Sequence, residues 1–153
     1  MAQGPTIAIR PVASADAQGL VSMVHGLAAH HGDSAALGPE AVLRDALGEP
    51  PWVRVLVAAG AEALVGYAAL LPLAKFQDGE RGLEIHHLWV EAAHRGQGVG
   101  RALIDAAVAE ARALGCGSVT IGTHADNHEA QARYLAMGFQ AARPPGPRFR
   151  LRF

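Results

Sequence analysis

The chain has one cysteine, Cys116, and one lysine, Lys75, among its 153 residues. A lone cysteine rules out an intramolecular disulfide and a thiolate metal cluster, and points to a reducing compartment; the expected location is the cytoplasm. Cys116 falls at a turn between a helix and a strand and reads as structural, because a nucleophile would need a partner base and a pocket. No apolar run approaches the ~18 residues of a membrane span. The start, MAQGPTIAIRP, has no charged opening followed by an apolar stretch, so no signal peptide is expected. Neither charge sign dominates: 13 basic against 14 acidic residues leave a net charge of −1. That balance gives no electrostatic footprint for nucleic acid or an anionic membrane.

Half of the residues are hydrophobic, enough for one soluble domain over residues 1–153 with a sizeable core. Thr6 to Arg10 alternates and reads as a strand ended by Pro11. Ser14 is the expected N-cap of a first helix, with Asp16 in its first turn. His30 to Ser34 breaks it, and Pro39 starts a second helix that closes at Gly48. Trp52–Ala59 and Leu64–Leu71 read as strands around a turn at Gly60. Pro72 to Arg81 reads as a polar loop, followed by a fourth strand, Leu83–Val90. Gly100–Leu114 is an amphipathic helix closed by Gly115. Ser118–Thr123 is a fifth strand, and Asn127 caps a short helix to Met137. Phe139–Ala141 and Arg148–Phe153 read as short final strands. The order β, α, α, β, β, β, α, β, α, β, β contains no internal repeat.

The most informative stretch runs from Leu88 to Leu103. A strand feeds Arg95-Gly96-Gln97-Gly98-Val99-Gly100, and that turn opens a helix. Glycine lets backbone approach a ligand closely, and the first helical turn offers unpaired N–H groups and partial positive charge. Together they suit a pyrophosphate, with Arg95 and Arg101 as flanking cations. A Walker loop would require a lysine here, and a dinucleotide fingerprint would require glycine at Arg101. What fits is Arg-x-x-Gly-x-Gly. Downstream, Asn127-His-Glu-Ala130 continues through Tyr134 to Gly138-Phe139.

These two motifs, in this order and spacing, resemble the GNAT superfamily of acetyltransferases. The resemblance implies an α/β (α+β) fold: a mixed, mostly antiparallel central sheet, splayed between strands 4 and 5, flanked by about four helices. It implies acetyl-CoA as cosubstrate and no metal. The amides of Gln97, Gly98, Val99 and Gly100 would hold the pyrophosphate, with Gly96, Arg95 and Arg101 also in the coenzyme site. The strand-four backbone at Leu88 and Val90 would meet the pantetheine arm, with the Val90 N–H facing the thioester carbonyl. Asn127 would touch the coenzyme or serve as a helix cap. Tyr134 matches the family tyrosine that protonates the departing sulfur.

Acetylating an amine also needs a base, because an alkylamine with a pKa near ~10.4 is almost wholly protonated at neutrality. Simple alternation puts Glu84, His86, Leu88 and Val90 on one face of strand four, and Ile85, His87 and Trp89 on the other. Glu84 and His86 match the positions where two branches of the family carry their glutamates, and either could be the base. An imidazole, ordinarily titrating near ~6.5, is well matched to such work. Alternation also separates His86 from His87, so they are not expected to share an ion.

The first half of the chain is similar to the diamine and thialysine acetyltransferase branch: an Arg-Pro start, a helix ending Leu-Ala-x-His, and Gly-Glu-Pro-Pro-Trp before a strand. That likeness implies a small polyamine-like or lysine-like amine, with His30, His31, Asp33 and Glu80 in its pocket. A peptide or protein amine as acceptor, and a coenzyme-binding module without activity, are the other readings. The family also suggests a homodimer, with the Phe149–Phe153 strand at the contact.

Overall fold

The computed structural model describes residues 6–153; the first five residues, part of the N-terminal stretch read above for a leader, lie outside them. The chain divides into two compact units, one ending at Ile121 and the other running from Gly122 to Phe153.

The first unit is built on a five-stranded sheet in the order β1-β2-β3-β4-β5. The strands are β1 (Ala8–Pro11), β2 (Arg54–Ala59), β3 (Leu64–Lys75), β4 (Glu80–Val90) and β5 (Ser118–Ile121). Neighbours from β1 to β4 are antiparallel, and β4 and β5 are parallel. Helices α1 (Ala17–His30) and α2 (Pro39–Ala46) cover one face, where Leu20, Met23, Leu27 and Val42 pack with Val57 and Tyr67. Helix α3 (Val99–Ala113) contributes buried Leu103, Ile104 and Ala107 to the opposite face. Gly66 of β3 permits this close packing: a Cβ there would lie 2.7 Å from the Trp89 carbonyl oxygen and 3.4 Å from Leu103.

Three local features differ from the sequence expectation. The first helix is not capped by Ser14. Ser14–Asp16 is a 3-10 turn, and the buried Asp16 carboxylate accepts from the Ala13 N–H at 2.7 Å and from both terminal nitrogens of Arg10. Those Arg10 hydrogen bonds, with the Ala13 N–H, hold the Asp16 carboxyl below its ordinary range despite burial. Second, Pro72–Arg81 is not an open loop: β3 and β4 continue as a hairpin to Lys75↔Glu80 around a 3-10 turn at Phe76–Asp78. β2 stops pairing with β3 at Leu70. Pro72 therefore sits where β3 has become an edge, and its missing N–H costs no ladder bond.

Third, the β3–β4 ladder carries a bulge. Ala69 pairs with His87 and Leu70 with Ile85, leaving His86 as the extra residue. The bulge resets the alternation. His86 and His87 stack on one another at 4.5 Å with rings 14° apart, instead of pointing to opposite faces. Leu88 and Val90 pair with Ala68 and Gly66, while Trp89 pairs with Tyr67. Thus Leu88 and Val90 do not share the face of Glu84 and His86.

The second unit contains α4 (His128–Ala136) and the chain beyond it. The Asn127 side chain accepts from the Ala130 N–H at 3.1 Å, the N-cap its position implied. Phe139–Ala141 and Arg148–Phe153 are not strands; Phe149, Leu151 and Phe153 are fully exposed and join no ladder among the described residues.

Candidate active site

The β4–β5 pairing runs only from Gly82↔Ser118 to Ile85↔Ile121, while β4 continues five residues further to Val90. This is the splay. The Glu91 N–H donates to Val65 on β3. Backbone direction alternates along an antiparallel ladder, so the N–H groups of Leu88 and Val90 point away from β3, along the open edge. The Val90 carbonyl on that side accepts from Arg95 Nε at 2.9 Å.

The glycine turn follows that edge directly. Gly96 and Gly98 have φ of 72° and 85°, a left-handed region that disfavours side chains, and nothing lies within 4 Å of where a Cβ would stand on either. Gly98 is the N-cap of α3 and has no side chain to occupy the helix's free N–H groups. The turn is therefore an open run of free donors at a helix N-terminus, an arrangement suited to a diphosphate. Its two flanking arginines are otherwise engaged. The Arg95 guanidinium lies 4.7 Å from the Trp89 ring centroid. Arg101 Nε reaches both carboxylate oxygens of Asp105 at 3.1 Å, on the solvent side. Gln97 turns back, its side-chain amide donating to the Ala93 carbonyl.

On the α1/α2 face, β4 carries a connected polar group. His86 Nδ1 is 3.4 Å from Glu84 Oε1, and both side chains are partly exposed. His87 Nδ1 is 3.0 Å from the Tyr67 hydroxyl. Burial pushes the Tyr67 phenol well above its ordinary range. Burial, then the nearby imidazoles of His86 and His31, pushes His87 down. Both partners are thus neutral near pH 7. The buried Tyr67 proton would be orphaned unless donated, so the phenol donates to Nδ1 and His87 carries its own proton on Nε2. Sequence reasoning missed both residues. Tyr67 sits in an apolar strand and reads as core, and nothing in the residues around His86 announces a bulge.

Beneath the histidines is a cavity of about 350 Å³, walled by α1, the following loop, α2, β2, β3 and β4. His86 and His87 line it; His30, His31, Asp33 and Glu80 do not. His30 packs edge-on against Trp89 at 5.7 Å, with His31 beside it. Asp33 is exposed in the loop after α1, and Glu80 pairs with Lys75 at the far end of the hairpin. Among the described residues, no cluster of three or more His, Cys, Asp or Glu side chains is placed to hold a metal.

In the second unit, Tyr134 is half-buried, its ring 6.1 Å from Phe139, and the Phe139 N–H donates to the Tyr134 carbonyl. Burial raises the Tyr134 phenol above its ordinary range, against a smaller opposing effect of Arg133. It therefore stays protonated at neutral pH.

Residues 26–139 match the acetyltransferase (GNAT) family. The chain belongs to that family. The match spans the bulged strand, the glycine turn and the Asn127–Phe139 segment. Among its GNAT relatives is N-acetyltransferase 8B of Rattus norvegicus, 37% identical over 84 residues, which are 55% of this chain and 38% of that protein. N-acetyltransferase 8 of Homo sapiens is 34% identical over 84 residues, 55% of this chain and 37% of that protein. The chain thus spans well under half the length of these relatives. The comparisons reach the family and not the diamine branch. Solved structures share the fold: a possible acetyltransferase from Clostridium difficile 630 superposes with a TM-score of 0.80 at 16% identity, covering 96% of this chain and 99% of that one. A ribosomal-protein-alanine N-acetyltransferase from Brucella melitensis biovar Abortus 2308 gives 0.74 at 21% identity, covering 97% and 99%.

Proposed function

We propose that this GNAT chain is one catalytic domain over residues 1–153 that moves the acetyl group of acetyl-CoA directly onto the primary amine of a small molecule. The observation that carries the reading is the open, left-handed glycine turn at the start of α3, continuous with the unpaired edge of β4. The amides from Gly96 to Gly100 bind the diphosphate. Leu88 and Val90 hold the pantetheine arm by main-chain hydrogen bonds, and Arg95 braces the end of β4 through the Val90 carbonyl and Trp89.

Acetyl-CoA supplies the acetyl group as a thioester. The Val90 N–H polarises its carbonyl. Glu84 accepts from His86 Nδ1, which turns the Nε2 lone pair outward as base, so the two candidates act as one orienter and one base. The amine nitrogen loses its proton to His86 Nε2 and bonds the acetyl carbon. The carbon–sulfur bond breaks, the leaving sulfur takes the Tyr134 proton, and the new amide nitrogen sheds its remaining extra proton, which restores the Tyr134 phenol. Asn127 keeps its cap role beside the coenzyme. The expected setting is the cytoplasm, as a homodimer through the exposed Phe149–Phe153 segment; sedimentation of the protein tests the latter. No helix among the described residues is long and apolar enough to cross a membrane.

Calorimetry with acetyl-CoA, followed by an amine screen reading released thiol, tests the proposal. Coenzyme binding and thiol release that depends on a small amine are expected. Absence of coenzyme binding by folded protein defeats it, and release only with peptide amines replaces the acceptor class.

A further inference from the structure

The wall of the cavity beneath His86 and His87 is almost wholly hydrocarbon: Leu20, Val24, Leu37, Val42, Val55 and Leu71 are among its residues. Only four polar side chains reach it, those of Asp45, Tyr67, His86 and His87. Asp45 is spent on Arg44, which donates to both its oxygens at 2.8 Å. The Tyr67 hydroxyl is spent on His87. No uncompensated carboxylate faces the space. A second ammonium, as in a polyamine or a lysine-like acceptor, would lose its hydration there without gaining a counter-charge. The polar groups left over are the imidazoles, on the β4 wall. His86 and Ala36 are exposed, so the cavity opens to solvent between β4 and the loop after α1. An occupant entering there leaves its polar end against His86 and buries its body between α1, α2 and the sheet.

We infer that this cavity selects amines carrying a single charge and an apolar alkyl or aryl body, a substrate class that rests on the transferase reading and narrows it. The volume of about 350 Å³ is roughly twice the ~150 Å³ that takes a benzene ring. It accommodates a hexyl or phenethyl chain.

The test is a homologous series. Thiol release from acetyl-CoA is measured with ethylamine, butylamine, hexylamine and phenethylamine, and with spermidine and lysine. The linear alkylamines have nearly the same basicity, so differences among them report on the body. The expected result is a rise in kcat/KM of about fourfold per added methylene, with spermidine and lysine at least about tenfold below hexylamine. Ala41→Phe, which fills the cavity from α2, flattens the slope; should it fail to fold, Val24→Thr lowers the slope by placing a hydroxyl in the wall. A flat series, or spermidine or lysine leading it, overturns the inference while leaving the transferase reading intact. If no amine is turned over, the transferase reading falls instead. Calorimetry of hexylamine against ethylamine still decides the cavity: tighter binding of hexylamine supports it, and equal or absent binding rejects it.

Discussion

The hydroxyl of Tyr67 and Nδ1 of His87 lie 3.0 Å apart on paired strands, the phenol donating to a ring that burial keeps neutral. Removing the donor leaves a half-buried imidazole nitrogen without its partner. Tyr67→Phe is expected to cost about 1–2 kcal/mol, read as a shift in the urea midpoint. The sign of the pH dependence follows from the depressed His87 pKa. Above ~6.5 the ring is neutral in both folded and unfolded chains. Below it, the unfolded chain takes up a proton that the folded chain resists, and stability falls with pH. The melting temperature should therefore drop between pH 7 and 5, and His87→Gln should flatten part of that drop. An unchanged slope in the variant rejects the assignment.

The pair on the same strand, His86 and Glu84, makes a separable prediction. With His86 as base and Glu84 as its orienter, His86→Asn should lower kcat about 10²-fold and abolish the acidic limb of the pH–rate profile. Glu84→Gln should lower kcat by a smaller factor and keep that limb. The reverse pattern makes Glu84 the base.

What could be read from the sequence was whatever has a local cause. The glycine turn, the Asn127 cap and the α3 stripe each follow from residues that bend, cap or bury by their own chemistry. The bulge at His86 does not. It inserts one ordinary residue against Ala69 and Leu70, decided by cross-strand packing, and it inverted the face assignment for Leu88 and Val90. The same holds for Pro72, whose place in a strand depends on where β2 stops, and for Asp16, whose carboxylate caps through its pairing with Arg10. The cavity escaped because its apolar lining comes from five separate segments, each of which reads as ordinary core.

Tyr134 is the proposed acid of the reaction. Because burial raises its pKa, it remains a proton donor across neutral and mildly alkaline pH. Tyr134→Phe should reduce kcat about 10²-fold with little change in the KM for acetyl-CoA. The wild-type rate should show no alkaline fall attributable to this group below pH ~10. A variant that raises KM and spares kcat would make the tyrosine a packing element.

The proposed coenzyme site rests on Gly98. At φ 85° a side chain there is strained even though the space above it is open. Gly98→Ala should therefore destabilise the free protein by about 1–2 kcal/mol, while adding only one methyl to the anion cradle. Gly98→Glu carries the same backbone cost and also places a carboxylate where the diphosphate would lie. Comparing the two separates strain from occlusion. Acetyl-CoA at a hundred times its Kd stabilises a one-site protein by about 2.7 kcal/mol, a clear rise in melting temperature. Wild type should show that rise, Gly98→Ala should show a smaller one from a lower baseline, and Gly98→Glu should show none. Equal rises in all three proteins would mean that the coenzyme does not rest on this turn, and the glycines of the loop would then be explained by chain geometry alone.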